Sequence, residues 1–417
     1  MFELNRDVLY LIFEELQNNN NKCLYSCLSV NKTWCEIIVP ILWKNPWKSF
    51  MRAQKCQKGK LLLNVIMSHL SDESKNNLKN KDVNLLTNTY QKPLFDYISF
   101  CRHLNLNAIK KIINNNYENS KKAMNVQYEI FNLFINKNTK FTHLYIPRQF
   151  DCQIHLIPGA EQCFSELEVL YCLTSINENI LIGLPDMCKS IKAVKLYVDN
   201  NYIIRILSFF VNLKRLELFN SHMTSNFMEN LPLPYLQILK ASRIPINVLE
   251  RLIENTSGYL TEIRIDGVNH SQIDNKRIIQ AIYQNCPKLK YLKLVFRYSN
   301  IIELRNLLIN CQFLCGLFIL INSMEDIFRL DDLFEILAKS SPIGLFKFNF
   351  NFRFRPVELE SLKLFFDNWK GRHPMFLQFF KKLENIDDLI DLIEEYKSKG
   401  VIKKFNNGFD CKDFEWY

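Results

Sequence analysis

A chain of 417 residues, 48% hydrophobic and 23% charged, is too apolar to stay disordered and long enough for two or three domains, or one domain plus a repeat array. Its formal net charge of +10 is uneven: residues 51–140 hold 15 Lys and Arg against 6 Asp and Glu, but no segment gathers five or six basic residues, so nucleic acid is not an expected partner. Charged residues interrupt Met1 to Lys22 and no apolar run approaches spanning length, so neither a signal peptide nor a membrane partner is expected, and the cytoplasm or nucleus is the expected compartment.

The chain opens helical. Val8, Leu9, Ile12, Phe13 and Leu16 recur at i, i+1, i+4, i+5 and i+8, which predicts one apolar face on a helix starting after Asn5, with Asp7 in its first turn. The polar run Gln17 to Lys22 is expected to end it. A second short helix would carry Cys23, Leu24, Cys27 and Leu28. A third, capped by Asn31, would carry Trp34, Ile37 and Ile38, with Pro40 stopping it. Three short helices over about 45 residues bury little core by themselves, so this unit should dock on a partner chain or on the rest of its own chain.

Residues 49–138 read as a helical linker. LLLNVIMSHL (Leu61 to Leu70) and LFDYISFCRHL (Leu94 to Leu104) are apolar at helical spacing, and Pro93 opens the second. From Phe141 the chain repeats. The pattern apolar-x-x-apolar-x-apolar begins at Phe141, Leu167, Ile191, Leu213, Leu236, Leu260, Leu289, Leu314 and Ile343, at intervals of 22 to 29 residues. Helical stretches such as INVLERLIEN and IIELRNLLINC lie between the copies. A strand followed by a helix, repeated about nine times, predicts a right-handed solenoid with a parallel sheet inside its curve.

These copies resemble leucine-rich repeats, and eight residues into each unit, where that family prefers an asparagine whose side chain ties neighbouring turns together, stand Gln149, Ser175, Asp199, Ser221, Ile244, Val268, Arg297, Asn322 and Asn351. Only two are Asn, so a regular ladder is not expected. The stretch FKFNFNFRFRP alternates strictly, putting Phe346, Phe348, Phe350, Phe352 and Phe354 on one face, and the Ile343 register places Phe346 and Phe348 inward. A helix near Glu358 to Trp369, a tenth short strand near Phe376 and a helix from Asn385 to Lys399 should close the array.

Catalysis finds no support in the sequence. It has no glycine-rich phosphate loop, GxSxG elbow, HExxH helix or paired CxxC, and its seven His lack ligand spacing. The thirteen scattered cysteines read as small hydrophobes of a reducing compartment. A non-catalytic binding protein without metal or cofactor is expected.

Strand alternation turns the residue between the second and third apolar positions out of the sheet. Down the chain this column is Tyr145, Tyr171, Lys195, Glu217, Lys240, Arg264, Lys293, Phe318 and Lys347; the column two residues earlier adds His143, Arg215, Glu262 and Tyr291. The predicted target-binding row is Tyr145, Tyr171, Lys195, Arg215, Lys240, Arg264, Lys293, Phe318 and Lys347, centred on Lys240, Arg264 and Lys293. Clustered Lys and Arg suit an acidic or phosphorylated segment of a target protein.

Phe2 to Trp47 resembles an F-box, whose landmarks appear here as Leu4, Val8, Leu9, Ile12, Leu16, Leu24, Val30, Trp34, Leu42 and Trp43. Asn5 stands where that family usually has Pro, and Asn31 where it usually has Cys. The repeats that follow resemble the irregular leucine-rich repeats found after the F-box in many members. The resemblance implies an α/β chain: a three-helix F-box (1–48), a helical linker (49–138), then a right-handed leucine-rich-repeat-like solenoid with a parallel concave sheet and a C-terminal cap (139–417). It further implies a substrate receptor of a Skp–cullin–F-box ubiquitin ligase, recruiting a ligase activity instead of supplying one. The adaptor-facing residues would come from Leu4, Asn5, Leu9, Ile12, Leu24, Leu28, Val30, Trp34, Leu42 and Trp43, some of them serving the internal helix contacts instead. The alternative is a repeat scaffold binding nucleic acid or a membrane surface through the basic 51–140 segment.

Overall fold

The computed structural model describes residues 4–19, 21–48, 56–84, 92–148, 150–172, 183–198, 206–220, 231–267, 270–321, 329–352, 358–379 and 386–407. The chain divides into two compact units, Met1–Ile191 and Lys192–Tyr417.

The first unit begins with helices α1 (Arg6–Asn19), α2 (Asn21–Cys27) and α3 (Lys32–Trp43). Asn5 Oδ1 accepts the Asp7 N–H at 3.2 Å and Asn31 accepts the Trp34 N–H at 2.8 Å, so both asparagines cap a helix start. Leu9, Phe13, Leu24, Ile37, Ile38 and Ile41 form a buried cluster, and Trp34 meets Phe13 edge-on with centroids 5.0 Å apart. Two expected boundaries move. α1 runs past Gln17 to Asn19, and Pro40 lies inside α3, whose end is Trp43. The Lys44 N–H still reaches the Pro40 carbonyl at 2.9 Å. Proline costs that helix one N–H bond, and burial of Ile41 just beyond it holds the last turn in place.

Helices α4 (Cys56–Ser68), α5 (Asp72–Asn80) and α6 (Tyr97–Phe100) follow, then strand β1 (His103–Asn105), α7 (Leu106–Asn114) and α8 (Ser120–Phe134). The expected helix over Leu94 to Leu104 is therefore a single turn that gives way to a strand. Cys101, Leu104 and Leu106, all fully buried, carry the same apolar-x-x-apolar-x-apolar pattern as the later units. The strand series thus starts within the segment read as a helical linker. β1 pairs in parallel with β2 (His143–Ile146), and β2 with β3 (Val169–Cys172). Short helices α9 (Ala160–Phe164) and α10 (Leu184–Met187) complete the described part of this unit.

The N-terminal helices are bonded to β1 by their own backbone. The Lys44 carbonyl accepts the N–H groups of Arg102 (3.0 Å) and His103 (3.2 Å). Trp47, fully buried, donates its indole N–H to the His103 carbonyl at 2.7 Å and lies 5.9 Å from the Phe134 ring.

The second unit is a strand–helix series. Strands β4 (Ala193–Val198), β5 (Arg215–Asn220), β6 (Ile238–Ser242), β7 (Glu262–Asp266), β8 (Tyr291–Val295), β9 (Gly316–Ile321), β10 (Lys347–Phe352), β11 (Met375–Phe379) and β12 (Ile402–Asn407) lie side by side in sequence order, every pairing parallel. Helices α11 (Ile246–Glu254), α12 (Gln272–Asn285), α13 (Ile301–Asn310), α14 (Leu330–Ser340), α15 (Leu359–Asn368) and α16 (Ile386–Ser398) connect β6 through β12, each packed on the next. A strand–helix repeat with a parallel sheet is the predicted α/β leucine-rich-repeat-like architecture. β12, beyond α16, was not expected.

The ninth unit is in a different register from the one predicted. Phe348 pairs with Leu317 and Phe350 with Ile319, so the unit begins at Leu345, not Ile343. Phe348 and Phe350 are buried, Phe346 is half-exposed and Ile343 is exposed. A shift of two residues preserves strand alternation, so a run of alternating Phe fits either register equally well. Phe354 lies outside the described residues.

Of the column where an asparagine ladder would stand, Gln149, Ser175, Asp199, Ser221, Val268 and Asn322 also lie outside them. Ile244 is buried, and Asn351 sits in β10 opposite Leu320. The tie between turns comes from elsewhere. Asn275, on α12, donates to the Val295 carbonyl at 2.6 Å, and its Oδ1 accepts from the Arg297 N–H (3.1 Å) and Asn300 Nδ2 (3.2 Å).

Candidate functional site

The residues expected to bind partners fall on two surfaces, one on the N-terminal helices and one on the outward faces of the strands. On α1 the five predicted apolar residues do not share one environment. Leu9 and Phe13 are buried and Leu16 packs against their cluster, while Val8 and Ile12 stay exposed. Val8, Leu11 and Ile12, with Leu4 one turn ahead, form a second apolar stripe at helical spacing that the core does not use. Leu4 is 57% exposed, Leu11 64% and Ile12 42%; Val30 at 56% and Tyr25 add to the bare apolar surface.

The predicted adaptor residues divide accordingly. Leu9 and Leu24 belong to the chain's own core, and Leu28, Trp34 and Leu42 pack partly buried against it. Asn5 caps α1, and Trp43 stacks on Tyr97 at 4.6 Å. Leu4, Ile12 and Val30 remain outward. Leu11 is exposed beside them although the expected set omits it, and an apolar residue off the core-facing stripe is a signal legible in the sequence.

On β1–β3, four rings lie within about 20° of parallel: His103 on His143 at 3.8 Å and 21°, Tyr145 on Tyr171 at 4.6 Å and 18°. His103 Nδ1 faces Asn45 Nδ2 at 3.3 Å, which can only donate, so this imidazole accepts there. Thr142 Oγ1 donates to the Arg102 carbonyl, so the 2.9 Å contact makes His143 Nδ1 the donor. Two neutral imidazoles in opposite tautomers are thus stacked. Burial, then His143, Lys44 and Lys48, push the His103 pKa down to about 3, and burial lowers that of His143.

In the second unit the pairing register aligns Lys195, Glu217, Lys240, Arg264, Lys293, Phe318 and Asn349 in one row. Lys347, expected in it, is level with Gly316 instead, as the ninth-unit register requires. The cations do not stand alone. Glu217 takes Arg215 (2.7 Å), Lys195 (3.3 Å) and Lys240 (3.9 Å); Glu262 takes Arg264 (2.5 Å) and Lys240 (3.6 Å); Asp266 takes Lys293 (3.0 Å). Burial alone would raise the pKa of Glu217, but Arg215, Lys195 and Lys240 outweigh it and hold the carboxyl below its usual range. Burial, followed by Arg264 and Arg215, lowers Lys240. Lys293 also lies over the Phe318 ring at 4.5 Å and Lys347 over Tyr291 at 5.4 Å. Buried Glu262, partly buried Glu217 and half-exposed Asp266 therefore tie the heads of Lys195, Arg215, Lys240, Arg264 and Lys293, and these cations together with Lys347 outnumber the three carboxylates, so the surface stays net positive. The sequence pattern places Glu217 in the row itself and Glu262 two residues earlier in its unit, without showing that they, or Asp266, are the partners of the cations.

Among the described residues no group of three or more His, Cys, Asp or Glu could hold a metal ion. Burial pushes the thiols of Cys101 and Cys163 up to about 12 and about 11, leaving them protonated.

No family model matches the chain, and no curated protein matches it. Among solved structures it is similar to the leucine-rich repeat-containing protein LegL7 from Legionella pneumophila, at 14% identity and a TM-score of 0.34 over 64% of this chain and 82% of that one. It is also similar to a structure of the Rad7 and Elc1 complex in yeast, at 14% identity and a TM-score of 0.41 over 92% of this chain and 89% of that one.

Proposed function

We propose that this chain is a substrate-recognition subunit of a Skp–cullin–F-box ubiquitin ligase, docking the Skp adaptor through its N-terminal helices and holding an acidic or phosphorylated target on the strand face. The observation that carries the reading is the second apolar stripe of α1. Three short helices spend one stripe on their own core and leave Leu4, Val8, Leu11 and Ile12 to water, although contiguous exposed apolar surface of this kind marks interaction sites. The F-box resemblance falls on those same helices.

The strand face supplies the second end. Lysine and arginine heads held by neighbouring carboxylates are ordered before a ligand arrives, which reduces the ordering cost of binding an anion. Capture of a Skp adaptor by the full chain tests the first end. Leu11→Asp with Ile12→Asp should abolish it while thermal unfolding is unchanged, because neither residue is in the core. Capture that survives both substitutions rejects the adaptor assignment.

A further inference from the structure

The connections that lead into the strands of the second unit form a surface of their own. Just ahead of each strand the backbones are laddered: the N–H of Gln237 donates to Lys214 at 2.8 Å, Thr261 to Gln237 at 2.8 Å, Lys290 to Thr261 at 2.8 Å, Cys315 to Lys290 at 2.8 Å and Phe346 to Cys315 at 3.2 Å. One connection after another is thus brought to a single edge of the sheet. Each ends in a buried leucine, yet the residue one or two places before that leucine is large, apolar and exposed in Val211, Tyr235, Tyr259, Phe313 and Ile343. Phe313 is 62% exposed and Ile343 88%. Where the series is interrupted, Lys288 takes the place and lays its ammonium over the Tyr259 ring at 4.4 Å. Segments 210–214, 234–237, 256–261, 286–290, 312–315 and 342–346 contain Lys214, Lys288 and Lys290 and neither Asp nor Glu.

We infer that this edge is a peripheral docking surface for an anionic lipid membrane. Exposed aliphatic tips, tyrosine and phenylalanine at one level and lysines among them are the composition of a surface that lies in the headgroup region, apolar side chains inserted and cations against anionic lipid. Single-stranded nucleic acid stacks on ring faces and gains little from an exposed valine or isoleucine. The Tyr259 face is already covered by Lys288. The expectation of no membrane partner rested on the lack of a spanning segment. Among the described residues no helix is long and apolar enough to cross a membrane, and a surface contact requires none.

Flotation of the full chain with phosphatidylcholine vesicles, and with vesicles of phosphatidylcholine and phosphatidylserine, tests the inference. Flotation with the phosphatidylserine vesicles alone is expected. Phe313→Ser with Ile343→Ser should weaken it about tenfold, and Lys288→Gln with Lys290→Gln by about fivefold for each lysine. Thermal unfolding checks that the variants fold; should the double variant be destabilised, Ile343→Ser alone decides. Absence of flotation overturns the inference, as does flotation that loss of the apolar tips leaves unchanged. A DNA oligonucleotide that binds the chain and its Phe313→Ser, Ile343→Ser variant alike, and displaces the vesicles, would assign the edge to nucleic acid instead. Adaptor capture by the same variants stays intact, so failure here leaves the proposed function standing.

Discussion

His103 and His143 are kept neutral by the fold, and this makes the first unit sensitive to acid. Each has a pKa below the ordinary histidine value of 6.5, that of His103 at about 3, so the unfolded chain takes up protons at a pH where the folded one does not. Their contribution to stability is complete above about pH 6.5 and is lost progressively as the pH falls towards 3. The thermal midpoint should therefore drop over that window, and His103→Gln with His143→Gln should flatten the dependence. His270, lowered to about 4 mainly by burial, adds a similar acid term in the second unit that the double variant leaves untouched. Asn275 is the second residue-scale case. Alanine there strands the Val295 carbonyl and the Arg297 N–H, an expected loss of about 2–4 kcal/mol in urea unfolding. Its role was hidden in the sequence because the residue sits mid-helix, 22 positions from the turn it braces.

At the scale of elements, the junction after α3 decides how firmly the N-terminal helices are held. Trp47 fills a buried site against Phe134 and donates to the backbone of β1. Trp47→Ala should cost about 3–5 kcal/mol. It should also speed hydrogen exchange at the amides of Arg102 and His103, which donate to Lys44. LFDYISFCRHL satisfies a helical period over its first turn, which predicts helix across β1. Only pairing with β2, nearly forty residues later, selects a strand for His103–Asn105. Among the described residues the last strand of the sheet is β12, whose pairing with β11 shifts register between Met375 and Phe376 and whose Lys403 and Lys404 are exposed, features that discourage edge-to-edge pairing.

At the scale of the molecule, the proposal places adaptor capture and target capture on separate surfaces, and they should fail separately. Lys240→Glu, Arg264→Glu and Lys293→Glu together reverse the charge of the row and should weaken target capture at least about tenfold, with adaptor capture unchanged. Equal target capture by this variant would remove the row from the site. Because Glu217 and Glu262 then face new like charges, circular dichroism and thermal unfolding must accompany the measurement.

Periodicity alone announced the three N-terminal helices, their asparagine caps, the helices that join β6 through β12, the strand–helix repeat and the outward columns, because each depends on residues a few positions apart whose side chains must reach a shared core. It could not divide the apolar residues of α1 between core and surface, since the buried and bare stripes share one helical period. It could not separate two registers of alternating phenylalanines, since strands repeat every second residue. Nor could it pair Glu217, Glu262 and Asp266 with their cations. Those outcomes depend on which strand lies beside which, and contacts between residues far apart in the chain exist only once the sheet is assembled.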